Sequence, residues 1–219
     1  WAARVGPLRD GSAFAELPRA GVPVDAGYRP PNENWPAPID SGYTGGYWAE
    51  RALTDDYRER FVDGVRRFAE HVEARGWRET FFEFYLNNKL YHRREGWNRS
   101  SAWWVFDEPV NTQDFWALRW YGAAFHEGVA RARGDSAGEA KLAFRADVSR
   151  PQWQRDLLDG ILDVNVVGIG FAPYLRTVME RRHRNGEMVY NYGTSNRVEA
   201  SNVQPAAWSL WAWSVGADG

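Results

Sequence analysis

The stretch that decides the fold is VNVVGIGF, residues 164 to 171. Its nearly continuous apolar residues are typical of a strand in a parallel sheet that is covered on both faces. A helical pattern opened by Ser149 and Pro151 and closed by Gly160 precedes it. Another, which begins at Pro173 and stops at Asn185-Gly186, follows it. A strand between two helices predicts an α/β fold with parallel pairing.

The same alternation continues in both directions along the chain. Apolar residues at helical spacing predict one helix from the N-cap Thr54 to Gly76, and another after residue 110, with Phe115 and Val129 on its apolar face. The predicted strands are residues 21–28, 80–89, 102–106, 142–148, 164–171 and 187–193.

Six such repeats indicate most of a (β/α)₈ barrel of the TIM type, which needs eight strands and typically about 250 residues. We expect residues 1–219 to form a single domain, excised from a longer chain with its first and last strands missing. An open, doubly wound sheet is the alternative. No predicted strand is followed by the glycine-rich phosphate turn typical of nucleotide-binding sheets.

Composition excludes several classes of function. The net charge is −2 and no basic stripe is present, which argues against a nucleic-acid partner. No apolar run reaches the roughly 20 residues of a membrane-spanning helix. The absence of cysteine excludes disulfides and thiolate chemistry, and none of the 4 histidines has zinc-ligand spacing. We therefore expect neither a metal nor a cofactor.

The aromatic content is high, with 13 Trp, 10 Tyr and 11 Phe. Core packing accounts for most such rings in a folded domain. Several of them, however, stand beside Asn, Asp or Glu in short clusters such as NENWP (32–36), WWVF (103–106) and YNY (190–192). Flat rings beside polar groups suit the faces of sugars, so the predicted partner is a carbohydrate.

Candidate site residues follow from the barrel prediction, because the loops after parallel strands build the active site. They are polar, acidic or aromatic and stand at or just past the carboxyl ends of the predicted strands. The acid pair is Asp107 and Glu108, and the candidate substrate-binding residues are Glu33, Trp35, Asn87, Asn88, Asp147, Tyr174, Tyr190, Asn191 and Tyr192.

The acid pair of WVFDEP permits two interpretations. Asp107 could cap the following helix, with Glu108 and Pro109 in its first turn. Alternatively, the pair is catalytic. Ordinary glycosidases place two carboxyl groups roughly 5 to 9.5 Å apart across the scissile bond, whereas consecutive residues approach a sugar from the same side. Adjacent acids suit a general acid plus an orienting carboxylate, with a 2-acetamido sugar that supplies its own nucleophile.

The sequence also resembles a known family over most of its length. The matching stretches are PPNENWP (30–36), FYLNNK (84–89), WVFDEP (104–109), YNYGTSN (190–196) and PAAWSLWAWSVGADG (205–219). They resemble the catalytic barrels of glycoside hydrolase family 123, which are β-N-acetylgalactosaminidase-like, and a related set of domains of unknown function.

This resemblance implies that Asp107 orients the acetamido group and that Glu108 is the general acid/base. It implies that Tyr190 and Tyr192 contact the sugar, and that the protein acts outside the cytoplasm, secreted or in a periplasm. Two alternatives remain at this point. One is a clan A retaining glycosidase with a separate carboxylate nucleophile; the other is a catalytically silent barrel that binds carbohydrate or serves as a scaffold.

Overall fold

The computed structural model describes residues 48–53, 55–86, 104–110, 112–136, 138–168, 170–193, 198–199 and 201–219, and it has a mixed α/β fold. The helices are α1 (Ala49–Ala52), α2 (Asp55–Ala74), α3 (Thr112–Arg133), α4 (Pro151–Gln154), α5 (Leu175–Asn185) and α6 (Val203–Ser214). The strands are β1 (Phe81–Tyr85), β2 (Lys141–Asp147), β3 (Val164–Val167) and β4 (Met188–Asn191).

Within the described residues the strands form one parallel sheet in the order β1-β2-β3-β4. Each strand therefore pairs with the next described strand along the chain. The register places Tyr85 beside Arg145, Asp147 beside Val166, and Val166 beside Tyr190. Because the strands are parallel, their carboxyl ends meet at one edge of the sheet.

The described helices that pack on the sheet cover one of its faces. Phe84 of β1 and Phe144 of β2 join a core with apolar residues of α2 and α3. Val167 and Val189, on the same face by alternation along the strands, pack with residues of α5 and α6. Helices α2 and α3 also pack on each other, and their Tyr57 and Tyr121 hydroxyls lie 3.0 Å apart in this core.

The opposite face of the sheet has a different character. Ala143, Val164 and Val166 form a small buried cluster there, with Met188 and Tyr190 partly buried beside it. Toward the carboxyl edge the residues on this face are charged, because Arg145 and Asp147 follow Ala143 on the same face of β2. The face that lacks described helices thus turns polar toward the carboxyl edge.

The chain also lies alongside β4 at residues 218 and 219. The amide of Asp218 donates to the Val189 carbonyl over 2.7 Å, and the amide of Asn191 donates to the Gly219 carbonyl over 2.7 Å. The paired residue numbers rise together, so this segment runs in the same direction as β4.

Most predicted elements that fall on described residues are confirmed as helices or strands with shifted bounds. The Gly76 and Gly186 stops lie in the left-handed region, with φ of 65° and 73°. The predicted strand at 102–106 is wrong for its described part, because residues 104–106 form no strand. Strand β1 pairs directly with β2, so no strand stands between them. The predicted strand 21–28 lies outside the described residues.

Residues 104–106 are buried for a different reason. The rings of Trp104 and Phe106 pack in the core, where Phe106 meets Tyr121 of α3 edge to face at 5.4 Å. An apolar run of this length does not by itself distinguish a strand from a buried irregular segment. None of the described helices is long and apolar enough to cross a membrane.

Candidate functional site

The segment 104–110 is fixed at the carboxyl edge of the sheet by hydrogen bonds to its backbone. The Asp114 carboxylate of α3 accepts from the amides of Val105 and Val110, over 3.0 and 3.1 Å. The Glu108 amide donates to the Asp147 carbonyl over 3.0 Å. The acid pair therefore lies beside the end of β2, although the strand predicted to carry it is not formed.

The interpretation of the acid pair as a helix cap is wrong. Helix α3 begins at Thr112, so Asp107 and Glu108 precede it and are not in its first turn. Asp107 is only 3% exposed, whereas Glu108 is partly exposed. The two neighbouring carboxylates thus lie in different surroundings, one enclosed by protein and the other open to the edge of the sheet.

Glu108 has an unusual backbone conformation. Its φ is 63°, which lies in the left-handed region that residues other than glycine rarely adopt. Such a residue costs of order 1 kcal/mol or more, and strained residues of this kind cluster at functional sites. The surrounding hydrogen bonds hold the Glu108 side chain in a direction that an ordinary backbone would not give.

Tyr192 reaches Glu108 from the end of β4. Its hydroxyl donates a hydrogen bond of 3.1 Å to Glu108 Oε1. The ring lies against Gly168, which follows β3, and a Cβ at that position would come within 2.8 Å of Tyr192 Cζ. The absence of a side chain at Gly168 therefore leaves room for the Tyr192 ring.

A charged network lies below this contact on the open face of the sheet. The Arg145 guanidinium donates to both oxygens of Asp147, over 2.9 and 3.2 Å, and to Glu83 Oε2 over 2.8 Å. It also lies over the Tyr85 ring, 4.6 Å from the centroid. Burial, followed by the Asp147 charge, raises the pKa of Tyr85. Tyr85 is therefore a neutral donor near neutral pH.

A cavity of about 430 Å³ opens above this network. This volume lies within the usual range of small-molecule pockets, roughly 300 to 1,000 Å³. Its described lining includes two charged residues and two tyrosines, together with apolar and backbone groups. These residues are Arg145, Asp147, Val166, Tyr190, Asn191, Tyr192 and Gly219.

Four of the predicted substrate-binding residues therefore come together at this cavity: Asp147, Tyr190, Asn191 and Tyr192. Asn191 has a structural task as well, because its Nδ2 donates to the Val167 carbonyl over 2.6 Å. Burial, and next the Glu83 charge, raise the pKa of Tyr190, so its hydroxyl stays protonated.

The other predicted substrate-binding residues are not part of this arrangement. Tyr174 precedes α5 and is 36% exposed, and the described lining of the cavity does not include it. Glu33, Trp35, Asn87 and Asn88 lie outside the described residues.

Tyr85 and Arg145 were not predicted from the sequence as site residues, and Glu83, inside a predicted strand, is as suited to a structural ion pair as to a substrate contact. Glu83 does form an ion pair with Arg145. The signal that could have found them is the period of two along strands, which places residues 83 and 85 on one face, and likewise residues 145 and 147. These positions lie within the strands, whereas the barrel prediction places site residues past the strand ends.

No group of three or more metal-ligating side chains occurs among the described residues. The arrangement offers a partly exposed carboxylate with a tyrosine donor. Glu108 is not among the described lining residues of the cavity, but Tyr192, which donates to it, is. Such a site can transfer a proton to a ligand held in the cavity. Comparisons with protein-family models, with curated proteins and with solved structures found no match.

Proposed function

We propose that this protein is a retaining glycoside hydrolase that cleaves β-linked N-acetylhexosamine, with N-acetylgalactosamine as the preferred sugar. The observation that carries the proposal is the Glu108 carboxylate, which lies at the carboxyl edge of a parallel sheet, in a left-handed backbone, with Tyr192 as its donor. The resemblance of WVFDEP and YNYGTSN to family 123 supports it, because the two stretches meet through this hydrogen bond.

We also propose that the sheet is part of a (β/α)₈ barrel. Two observations support this over an open, doubly wound sheet. The described strands follow one another in chain order, whereas a doubly wound sheet reverses order at a switch point. The described packing of α2, α3, α5 and α6 is on one face, which in a barrel is the outside.

In the proposed reaction, Glu108 first acts as a general acid. It gives its proton to the glycosidic oxygen while the bond from that oxygen to the anomeric carbon breaks. The carbonyl oxygen of the 2-acetamido group forms a new bond to the same carbon, which produces an oxazolinium ion. Glu108, now a carboxylate, removes a proton from water as the water attacks that carbon and restores the acetamido sugar with its configuration retained.

Asp107 has the second role in this mechanism. Its carboxylate accepts the N–H of the acetamido group and so turns the carbonyl oxygen toward the anomeric carbon. The negative charge also stabilises the positive charge that develops on the oxazolinium ring. Because Asp107 is only 3% exposed, the acetamido group would have to contact it at the floor of the site.

The main alternative enzyme is a clan A retaining glycosidase. It requires a carboxylate nucleophile after a strand opposite the acid. Asp147 is the described carboxylate at the end of a neighbouring strand, but both of its oxygens are engaged by Arg145. The end of β4 provides Tyr190, Asn191 and Tyr192 instead of an acid.

The test is hydrolysis of aryl β-glycosides with and without the 2-acetamido group, by the wild-type protein and its Glu108→Gln and Asp107→Asn variants. We expect activity on the acetamido sugar alone. Neither Glu108 nor Asp107 is the nucleophile in this mechanism. Added azide should therefore not restore the activity of either variant by forming a glycosyl azide of inverted configuration, even with aryl leaving groups that need little protonation.

Hydrolysis of both sugar types at equal rates would favour the clan A alternative. If neither sugar type is hydrolysed, the remaining alternative is a carbohydrate-binding module. Binding of the same sugars without turnover would support that alternative. Folding of both variants is checked by circular dichroism and thermal unfolding, so that loss of activity is not mistaken for loss of structure.

A further inference from the structure

Among the described residues, the charges beside the cavity are unbalanced. Glu83, Asp107 and Asp147 provide three carboxylates, and Arg145 provides one cation, which leaves a net charge of −2 in this part of the described structure when all four are ionised. Glu108 is counted as neutral, because it holds the proton that it donates in the proposed reaction. Lys141 shares the face with Arg145 but begins β2, about 20 Å along the strand from Asp147. It lies too far away to balance the acids at the carboxyl edge.

Arg145 cannot act as a ready anion site, because it is already engaged. Its Nε and Nη2 donate to Asp147, its Nη1 donates to Glu83, and its plane lies over Tyr85. An incoming sulfate or carboxylate would have to displace one of these carboxylates or lie beside them. Either outcome is unfavourable in a cavity where like charges are only partly screened.

We propose that this cavity selects an uncharged sugar and rejects rings that carry a sulfate or a carboxylate. The inference rests on the proposed function, since it concerns the sugar bound next to Glu108. Sugar hydroxyls suit the site, because they can donate to the Asp147 carboxylate and accept from the tyrosine hydroxyls. The predicted substrates are therefore neutral glycans with a terminal or internal N-acetylhexosamine.

Direct binding tests this inference separately from catalysis. NMR titration would compare methyl β-N-acetylgalactosaminide with its 6-sulfate on the full chain, at low and at high ionic strength. At low ionic strength we expect the neutral sugar to bind about tenfold more tightly than its 6-sulfate. The ratio of the two affinities should shrink in high salt, because screening weakens the repulsion of the sulfate. A steric cause would give a ratio that salt does not change.

Glu83→Gln provides the variant test, because Glu83 contributes charge through Arg145 and has no proposed contact with the sugar. We expect its neutral-to-sulfated binding ratio to fall about two- to threefold. The matched control is Glu180→Gln, which removes an exposed carboxylate paired with Arg176 on α5. This control should keep the wild-type ratio.

Equal or tighter binding of the sulfated sugar, or binding of neither sugar, would overturn the inference. So would a ratio unaffected by both salt and Glu83→Gln. The hydrolysis assay and the binding assay distinguish failure of the proposed reaction from failure of the proposed charge selectivity. Discrimination without hydrolysis would refute the proposed reaction but keep the charge selectivity, whereas hydrolysis without discrimination would do the reverse.

Discussion

The hydroxyl of Tyr192 donates to Oε1 of Glu108 over 3.1 Å, joining residues 84 positions apart in the sequence. Glu108 lies beside the end of β2, and Tyr192 follows β4. Strand β3 lies between them, and Gly168 after it makes room for the tyrosine ring. The contact therefore depends on three adjacent strand ends at once.

Tyr192→Phe removes this hydrogen bond while it keeps the ring. In the proposed reaction the bond holds Oε1, which leaves the other carboxylate oxygen to carry the proton toward the leaving group. We expect kcat on an aryl β-N-acetylgalactosaminide to fall about fivefold, the equivalent of about 1 kcal/mol. Steady-state kinetics with wild type and variant checks this value.

The control for Tyr192→Phe is its stability. The side chain is 42% exposed, so the free energy of unfolding should change by less than about 0.5 kcal/mol. Urea unfolding measures it. Unchanged kcat in a normally folded variant would show that the contact has no part in proton transfer.

Gly168→Ala tests the same contact from the opposite side. The new Cβ would come within 2.8 Å of Tyr192 Cζ, and the exposed ring can move away at little cost to stability. We therefore expect a loss of kcat similar to that of Tyr192→Phe. In the double variant the two losses should not add, because both remove one interaction. Fully additive losses would mean that Gly168 acts in another way.

Much of the fold could be predicted from the sequence because local signals were strong. Apolar spacing and the glycine stops at Gly76 and Gly186 located α2 and α5. In the strand predicted at 102–106, the described rings of Trp104 and Phe106 are buried as in a strand, but the amide of Val105 donates to Asp114 of α3 instead of to a neighbouring strand. That arrangement depends on contacts distant in sequence, which periodicity does not encode.

The candidate site could likewise be predicted from the sequence only in part. Residues at or just past a strand end, such as Asp147 and Tyr192, were predicted because parallel strands bring their carboxyl ends together. The left-handed backbone of Glu108 carries no sequence signal, since such a conformation is ordinarily marked by glycine. The Arg145 network was likewise hidden, because its partners come from different strands and meet only through the register.

The ion pair of Arg181, in α5, and Glu187 is buried, so the loss of one partner should destabilise the fold. Both side chains are almost inaccessible, and Glu187 also accepts a hydrogen bond of 3.2 Å from Asn165. Glu187→Gln leaves the Arg181 charge without its full partner in the interior, and should cost about 3 kcal/mol. Urea unfolding of variant and wild type measures this loss.

The exposed pair on the same helix provides the comparison. Arg176 and Glu180 form an i,i+4 ion pair in solvent. Glu180→Gln should change the free energy of unfolding by no more than about 0.5 kcal/mol. If Glu187→Gln and Glu180→Gln lowered the free energy of unfolding by similar amounts, burial would not be the reason that the Arg181–Glu187 pair matters.

Asp218 should make stability depend on acid. The hydrogen bond from Arg182, reinforced by the Val189 amide, holds the pKa of the Asp218 carboxyl below its ordinary value. An acid with a lowered pKa in the folded state stabilises the fold above its unfolded pKa of about 3.9, and this contribution is lost as pH falls through the folded value. Wild-type urea midpoints should therefore drop between about pH 5 and pH 3 by more than those of Asp218→Asn. Arg182→Gln should flatten the profile as well, because it removes the main cause of the lowered pKa; profiles identical to wild type in both variants would contradict the assignment.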